Sequence, residues 1–125
     1  MKKLFRKLFP SKEIRAYRKM YRRHRQEMIK LAKEVREWDY SWINELLLTQ
    51  IKHMYEYFSA GNNVWQTDET RLPIVEQLKH VLDLYDELEH LWGADKDYKA
   101  SLVREQELYE EIYSYVGCRL KEWWD

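Results

Sequence analysis

Apolar side chains recur along this chain at intervals of three and four, the period of an α-helix. Ile14, Tyr17, Tyr21, His24, Met28, Leu31, Val35, Trp38 and Trp42 alternate steps of three and four without a miss. Such a sustained heptad pattern marks coiled-coil packing and predicts a long helix over about 12–38, with Ser11 as its N-cap. The period drifts around Trp38-Asp39-Tyr40-Ser41-Trp42, where a break or kink is expected with Asp39 or Ser41 as cap; Ile43, Leu47, Ile51, Met54 and Phe58, widened by Leu46 and Tyr57, then predict a second helix over 41–60. Gly61-Asn62-Asn63 would end it, since Gly and Asn tolerate the left-handed conformation past a helix C-terminus. Residues 64–72 read as a loop, with Thr70 a candidate cap and Pro73 in the first turn of a third helix over 71–92. That helix carries the stripe Ile74, Leu78, Val81, Tyr85, Leu88 and Trp92, and Gly93 stops it. Asp95 or Asp97 starts the last, 97–123, whose face holds Leu102, Tyr109, Ile112, Val116, Leu120 and Trp123, with Gly117 loosening its end. No alternating strand pattern interrupts the series. The expectation is an all-α antiparallel bundle of three to four main helices, a single domain over 11–125 with a long basic first helix.

Composition agrees with helices: three Gly, two Pro and 35% charged residues in 125. Six Trp and ten Tyr supply apolar area for a core and some to spare. The one cysteine, Cys118, allows no internal disulfide, which fits a reducing compartment. No apolar run approaches the ~20 residues of a membrane span, and the N-terminus lacks the apolar stretch of a secretory signal.

Charge changes the picture more. The net charge is zero, but residues 1–37 hold 14 Lys/Arg against 4 acids, and residues 38–125 hold 8 against 18. Three features follow. Residues 1–10 form a short basic amphipathic segment with Leu4, Phe5, Leu8 and Phe9 on one helical face. It reads as a cover for the bundle end, a peptide docking into a partner protein, or a weak foot on a membrane surface. The stretch with Arg15, Arg18, Lys19, Arg22, Arg23 and Arg25 interleaves cations with Tyr17 and Tyr21. It could track nucleic-acid phosphates, meet an acidic protein, or pair with acids of the same chain or of a second copy, the reading its neutral total favours. Trp65 lies in a polar loop, either tucked in as a lid or used as an interface anchor.

Catalytic signatures are missing from the sequence. No nucleophile elbow or Gly-rich phosphate loop occurs. Glu87-x-x-His90 is half of a di-iron motif, but His24, His53 and His80 have Tyr21, Gln50 and Gln77 three residues upstream, so the second half is absent. Glu107, Glu110 and Glu111 read as a solvated helix face rather than a magnesium site. No catalytic residue, metal ligand, cofactor or small-molecule substrate is expected.

Residues 54–84, MYEYFSAGNNVWQTDETRLPIVEQLKHVLDL, with the basic start and Trp38-Asp39-Tyr40-Ser41-Trp42 before them, resemble a group of small uncharacterised proteins of bacteriophages and prophages. The resemblance covers about two-thirds of the chain and excludes the final helix. It implies a phage genome and action in the cytoplasm of a bacterial host, and it carries no activity and no functional residues. Taken together, the expectation is a non-enzymatic binding protein. Its partner would be a protein, reached through Leu4, Phe5, Leu8, Phe9 and Trp65, or a second copy along the seam Ile14, Tyr17, Tyr21, His24, Met28, Leu31, Val35 and Trp38. Nucleic acid on the arginine face and a membrane surface at residues 1–9 are the alternatives.

Overall fold

The computed structural model describes residues 12–61, 67–93 and 96–123. The protein is all-α: among the described residues four helices, α1 (Lys12–Ala32), α2 (Tyr40–Ala60), α3 (Asp68–Glu89) and α4 (Tyr98–Arg119), are followed by a 3-10 turn, Leu120–Glu122. No strand occurs among the described residues. The chain divides into two compact units, Met1–Thr49 and Gln50–Asp125.

In the first unit the expected helix over 12–38 ends six residues early, at Ala32. The heptad pattern continues past it, but the backbone does not. Glu34 N–H bonds the Leu31 carbonyl at 3.0 Å, a tightened last turn, and the Trp42 indole N–H donates to the same carbonyl at 3.3 Å. A side chain eleven residues on thus satisfies an oxygen that a continuing helix would have used. The burial of α1 also departs from the expected seam. Met20 is its one buried residue, His24, Met28 and Leu31 are half-buried, and Ile14, Tyr17 and Tyr21 are exposed. At 100° per residue the inward face is turned from the seam's axis by roughly 40°, towards Met20.

Residues 33–39 form a braced connection. Asp39 caps α2, its Oδ1 accepting from Ser41 N–H at 2.9 Å. Arg36 clamps that cap from the other side, Nε to Asp39 at 3.1 Å and a terminal nitrogen to Glu45 at 3.2 Å. The Ser41 amide and then Arg36 hold the Asp39 carboxyl below its ordinary pKa.

In the second unit the core is Ile51 and Phe58 of α2, Ile74, Leu78, Val81, Leu84 and Tyr85 of α3, Leu108, Ile112 and Val116 of α4, and Trp123. Burial pushes the Tyr85 phenol well above its usual range. Gly61 ends α2 with φ +69°, and Arg71 lies over it, donating to the Phe58 carbonyl at 2.7 Å and pairing with Asp68 at 3.0 Å. Residues 68–72, expected as loop, are helical. Asp68 and Glu69 sit at the positive end of the α3 dipole, and Thr67, not Thr70, is the N-cap. Pro73 is therefore the sixth helical residue rather than a first-turn one. The amide it lacks would have met the carbonyl of Glu69, whose exposure lets water take that place.

Helices α3 and α4 run antiparallel. Near their connection Arg104 grips Glu87 with two bonds of 2.8 Å, midway His80 meets Glu111 at 3.8 Å, and at the far end the Trp123 indole donates to Gln77 at 2.8 Å. Asp97 starts α4 by accepting from Lys99 and Ala100 N–H. Ser101, buried, donates to the Leu91 carbonyl at 3.3 Å, and Trp92 and Tyr98 pack ring against ring at 5.5 Å. The α4 face differs from expectation: Leu108 and Ser101 are inside, whereas Leu102 and Leu120 are exposed. At the end of α3, Leu88 is half-buried and Trp92 exposed.

Candidate macromolecule-binding surface

The basic residues of α1 are sorted by the helix itself. Eight Lys and Arg and two Glu occupy its 21 residues. At 100° per residue the eight cations fall in one arc of about 160°, and Glu13 and Glu27 lie outside it. All eight are exposed. Among the described residues, Lys12, Arg15, Arg18, Lys19, Arg22, Arg25 and Lys30 take part in no side-chain ion pair or hydrogen bond, whereas Arg23 is engaged. Within the second unit the acids of α3 and α4 have partners of their own. Glu87 and Glu107 pair with Arg104, Asp83 with Lys79, Glu111 with His80 and Asp86 with His90.

Tyr17 and Tyr21 stack one turn apart, ring centroids 6.4 Å and planes 21° from parallel. Both are exposed rather than filling a core; Tyr21, 54% exposed, lies about 40° from the edge of the cationic arc and Tyr17 about 80° from it. With Arg15, Arg18, Lys19 and Arg22 they frame an open concavity of 580 Å³.

A second feature joins Trp38 of the expected seam to Tyr40 and Ile43, which the spacing did not mark as site residues. Trp38 and Ile43 stand at the positions, just before the Asp39 cap and four residues after it, where two apolar side chains usually close on each other as a staple. Here Trp38 is 85% exposed, Tyr40 68% and Ile43 61%. The braced turn that carries them holds a large apolar side chain in water, an arrangement associated with contact surfaces. Of the expected oligomer seam, Ile14, Tyr17 and Tyr21 are exposed on α1, and Val35 and Trp38 are exposed beyond its end. Leu4, Phe5, Leu8, Phe9 and Trp65 lie outside the described residues.

The acid and histidine arrangement differs from the motif in the sequence. Glu87 is turned to Arg104, which holds its carboxyl below the ordinary pKa through the hydrogen bond and then the charge. Asp86 and Glu89 instead join His90, their ligand atoms within 4.8 Å of one another. His90 Nδ1 lies 2.8 Å from the Asp86 carbonyl oxygen, so that nitrogen donates and Nε2 is left for other work. What the three offer a divalent cation is a chelate from the exposed end of one helix, with no ligand from another element among the described residues. Nearby, Glu87, His90, Leu91, Lys96, Ala100 and Arg104 line an open 460 Å³ hollow. Cys118 is an exposed thiol on α4. No described helix is long and apolar enough to cross a membrane.

Comparison with models of known protein families, with curated proteins and with solved structures gives no match.

Proposed function

We propose that this chain is a non-enzymatic accessory protein of phage type that works in the cytoplasm of a bacterial host by binding a protein. The observation that carries the reading is Trp38, 85% exposed on a turn whose backbone is fixed at both ends. Asp39, Arg36 and Trp42 brace that turn through hydrogen bonds and an ion pair. Indole anchors presented on rigid backbone dominate protein interfaces, because little conformational entropy is lost when they are buried. Tyr40 and Ile43 extend the apolar surface along the first turn of α2. A partner offering an apolar pocket, whether a host protein or a second copy of this chain, fits that surface.

The test is affinity capture from a bacterial lysate by the wild-type chain and by Trp38→Ala, with partners identified by mass and the purified chain weighed by sedimentation. Truncating a hot-spot tryptophan costs ~2 kcal/mol or more, about 30-fold in Kd, so the captured partner or the dimer should be lost from the variant. Circular dichroism should stay unchanged, since the side chain covers little of the fold. Equal capture by both proteins removes the reading.

A further inference from the structure

The cationic face of α1 has a chemistry that the Trp38 contact does not use. Arg15, Arg18, Arg22 and Arg25 repeat at steps of three, four and three. They make one stripe roughly 15 Å long, with neighbours about 5–6 Å apart. Lys19 and Arg23 flank it. Like charges at such spacings oppose helix formation, and on α1 no acid lies within the arc to offset them. From these positions we infer that α1 is a binding site for the phosphate backbone of nucleic acid, independent of base sequence.

Charge density selects this occupant. A duplex presents one phosphate charge per ~1.7 Å of axis, so the stripe faces more anions than it has arginines along its whole length. Guanidinium forks match phosphate oxygens two bonds at a time, and five of the eight cations on α1 are arginine. The field at the stripe is set by charges within a Debye length of about 8 Å, so the neutral total of the chain does not cancel it. Tyr21, exposed beside the arc, suits an unstacked base.

An anionic bilayer is a poorer match. An interfacial helix inserts an apolar side opposite its cations. On α1 much of that side is taken up by the fold, with Met20 buried and His24, Met28 and Leu31 half-buried; the exposed Ile14, Tyr17 and Tyr21 lie towards one edge of it, and Ile29 lies among the cations. An acidic protein would have to supply carboxylates along the same 15 Å or so without interruption.

The experiment is fluorescence anisotropy of the full chain with a labelled 30-base-pair DNA duplex and a 30-nucleotide strand of mixed sequence, from low to moderate salt. Four engaged arginines give log K against log[salt] a slope of about −3.6 on the duplex, so tripling the salt weakens binding roughly 50-fold. The triple variant Arg15→Gln, Arg18→Gln, Arg22→Gln keeps good helix formers and should flatten that slope by about 2.7. Lys52→Gln, Lys96→Gln, Lys99→Gln removes the same net charge from residues outside α1 and should leave the slope in place. Both probes are expected to bind. The inference is overturned if neither binds at low salt, if the two triple variants behave alike, or if polyglutamate competes as well per charge. It is equally overturned if the chain sediments with phosphatidylserine vesicles while both nucleic-acid probes stay free. Capture of a protein through Trp38 has no bearing on these readings, so each contact can fail alone.

Discussion

Replacing Leu108 by alanine tests which side of α4 faces the core. Leu108 has no exposed surface and shares the α3–α4 interface with Leu78, Val81 and Ile112, all equally enclosed. Removing three carbons at ~0.8 kcal/mol each withdraws about 2.4 kcal/mol of burial. The unfilled space adds more, so Leu108→Ala should cost roughly 3–4 kcal/mol. Leu102 stands on the same helix but is 44% exposed, and Leu102→Ala should cost well under half of that. The assay is urea unfolding followed by circular dichroism at 222 nm. With m on the order of 2 kcal/mol/M, Leu108→Ala should lower the midpoint by about 1.5–2 M. A midpoint loss for Leu102→Ala as large as that for Leu108→Ala would refute the assignment of faces and the antiparallel register built on it.

Two glycines should respond in opposite directions. Gly61 has φ +69° and Arg71 packed over it, so Gly61→Ala should destabilise by about 1–2 kcal/mol, whereas Gly117, with nothing within 4 Å of a new Cβ, should gain about 0.5–1 kcal/mol as alanine in thermal melts. Asp97→Ala removes the acceptor for two amides at the start of α4 and should cost ~1 kcal/mol, largely restored by Asp97→Ser; no loss in urea titration would deny the cap. The Asp86 carbonyl and then the Asp86 charge raise the His90 pKa above its ordinary 6.5. The stabilisation from protonated His90 is thus complete below about 6.5 and is lost as pH rises through the folded value; an NMR titration midpoint at or below 6.5 contradicts this. Asp39 and Glu87 are shifted the other way, so their contribution is present above about 4 and is lost as pH falls through their lower folded values. An acid melt should therefore lose stability as pH drops below about 4 and not before.

Helix type, and the number of helices among the described residues, were legible because spacings of three and four admit no strand. Helix ends were not, wherever a distant group decides them. Nothing near Ala32 in sequence is a breaker; the stop depends on the Trp42 indole reaching back to Leu31. Asp68 and Glu69 resemble a polar turn until Arg71 is seen tying the start of α3 to the end of α2. On α4 the apolar residues surround the helix, with Leu102, Val103, Tyr113 and Leu120 all exposed, so spacing alone had no means to prefer Leu108. The arginine stripe was visible as a pattern. Its place on one arc of α1, with Glu13 and Glu27 outside, follows from that pattern once the helix is in place. Trp38 was placed in a helical seam, and only the break after Ala32 turns it into a presented side chain.

The α3–α4 pair also sets an order of assembly. Arg104 and Glu87 lie 17 residues apart in the chain, Trp123 and Gln77 lie 46 apart. Closing the longer loop from an open chain costs ~0.9 kcal/mol more than closing the shorter. Zippering should thus begin at the connection between the two helices and travel outward, with the indole of Trp123 arriving last. Kinetically, Leu108→Ala would then slow folding, whereas Trp123→Phe would chiefly speed unfolding.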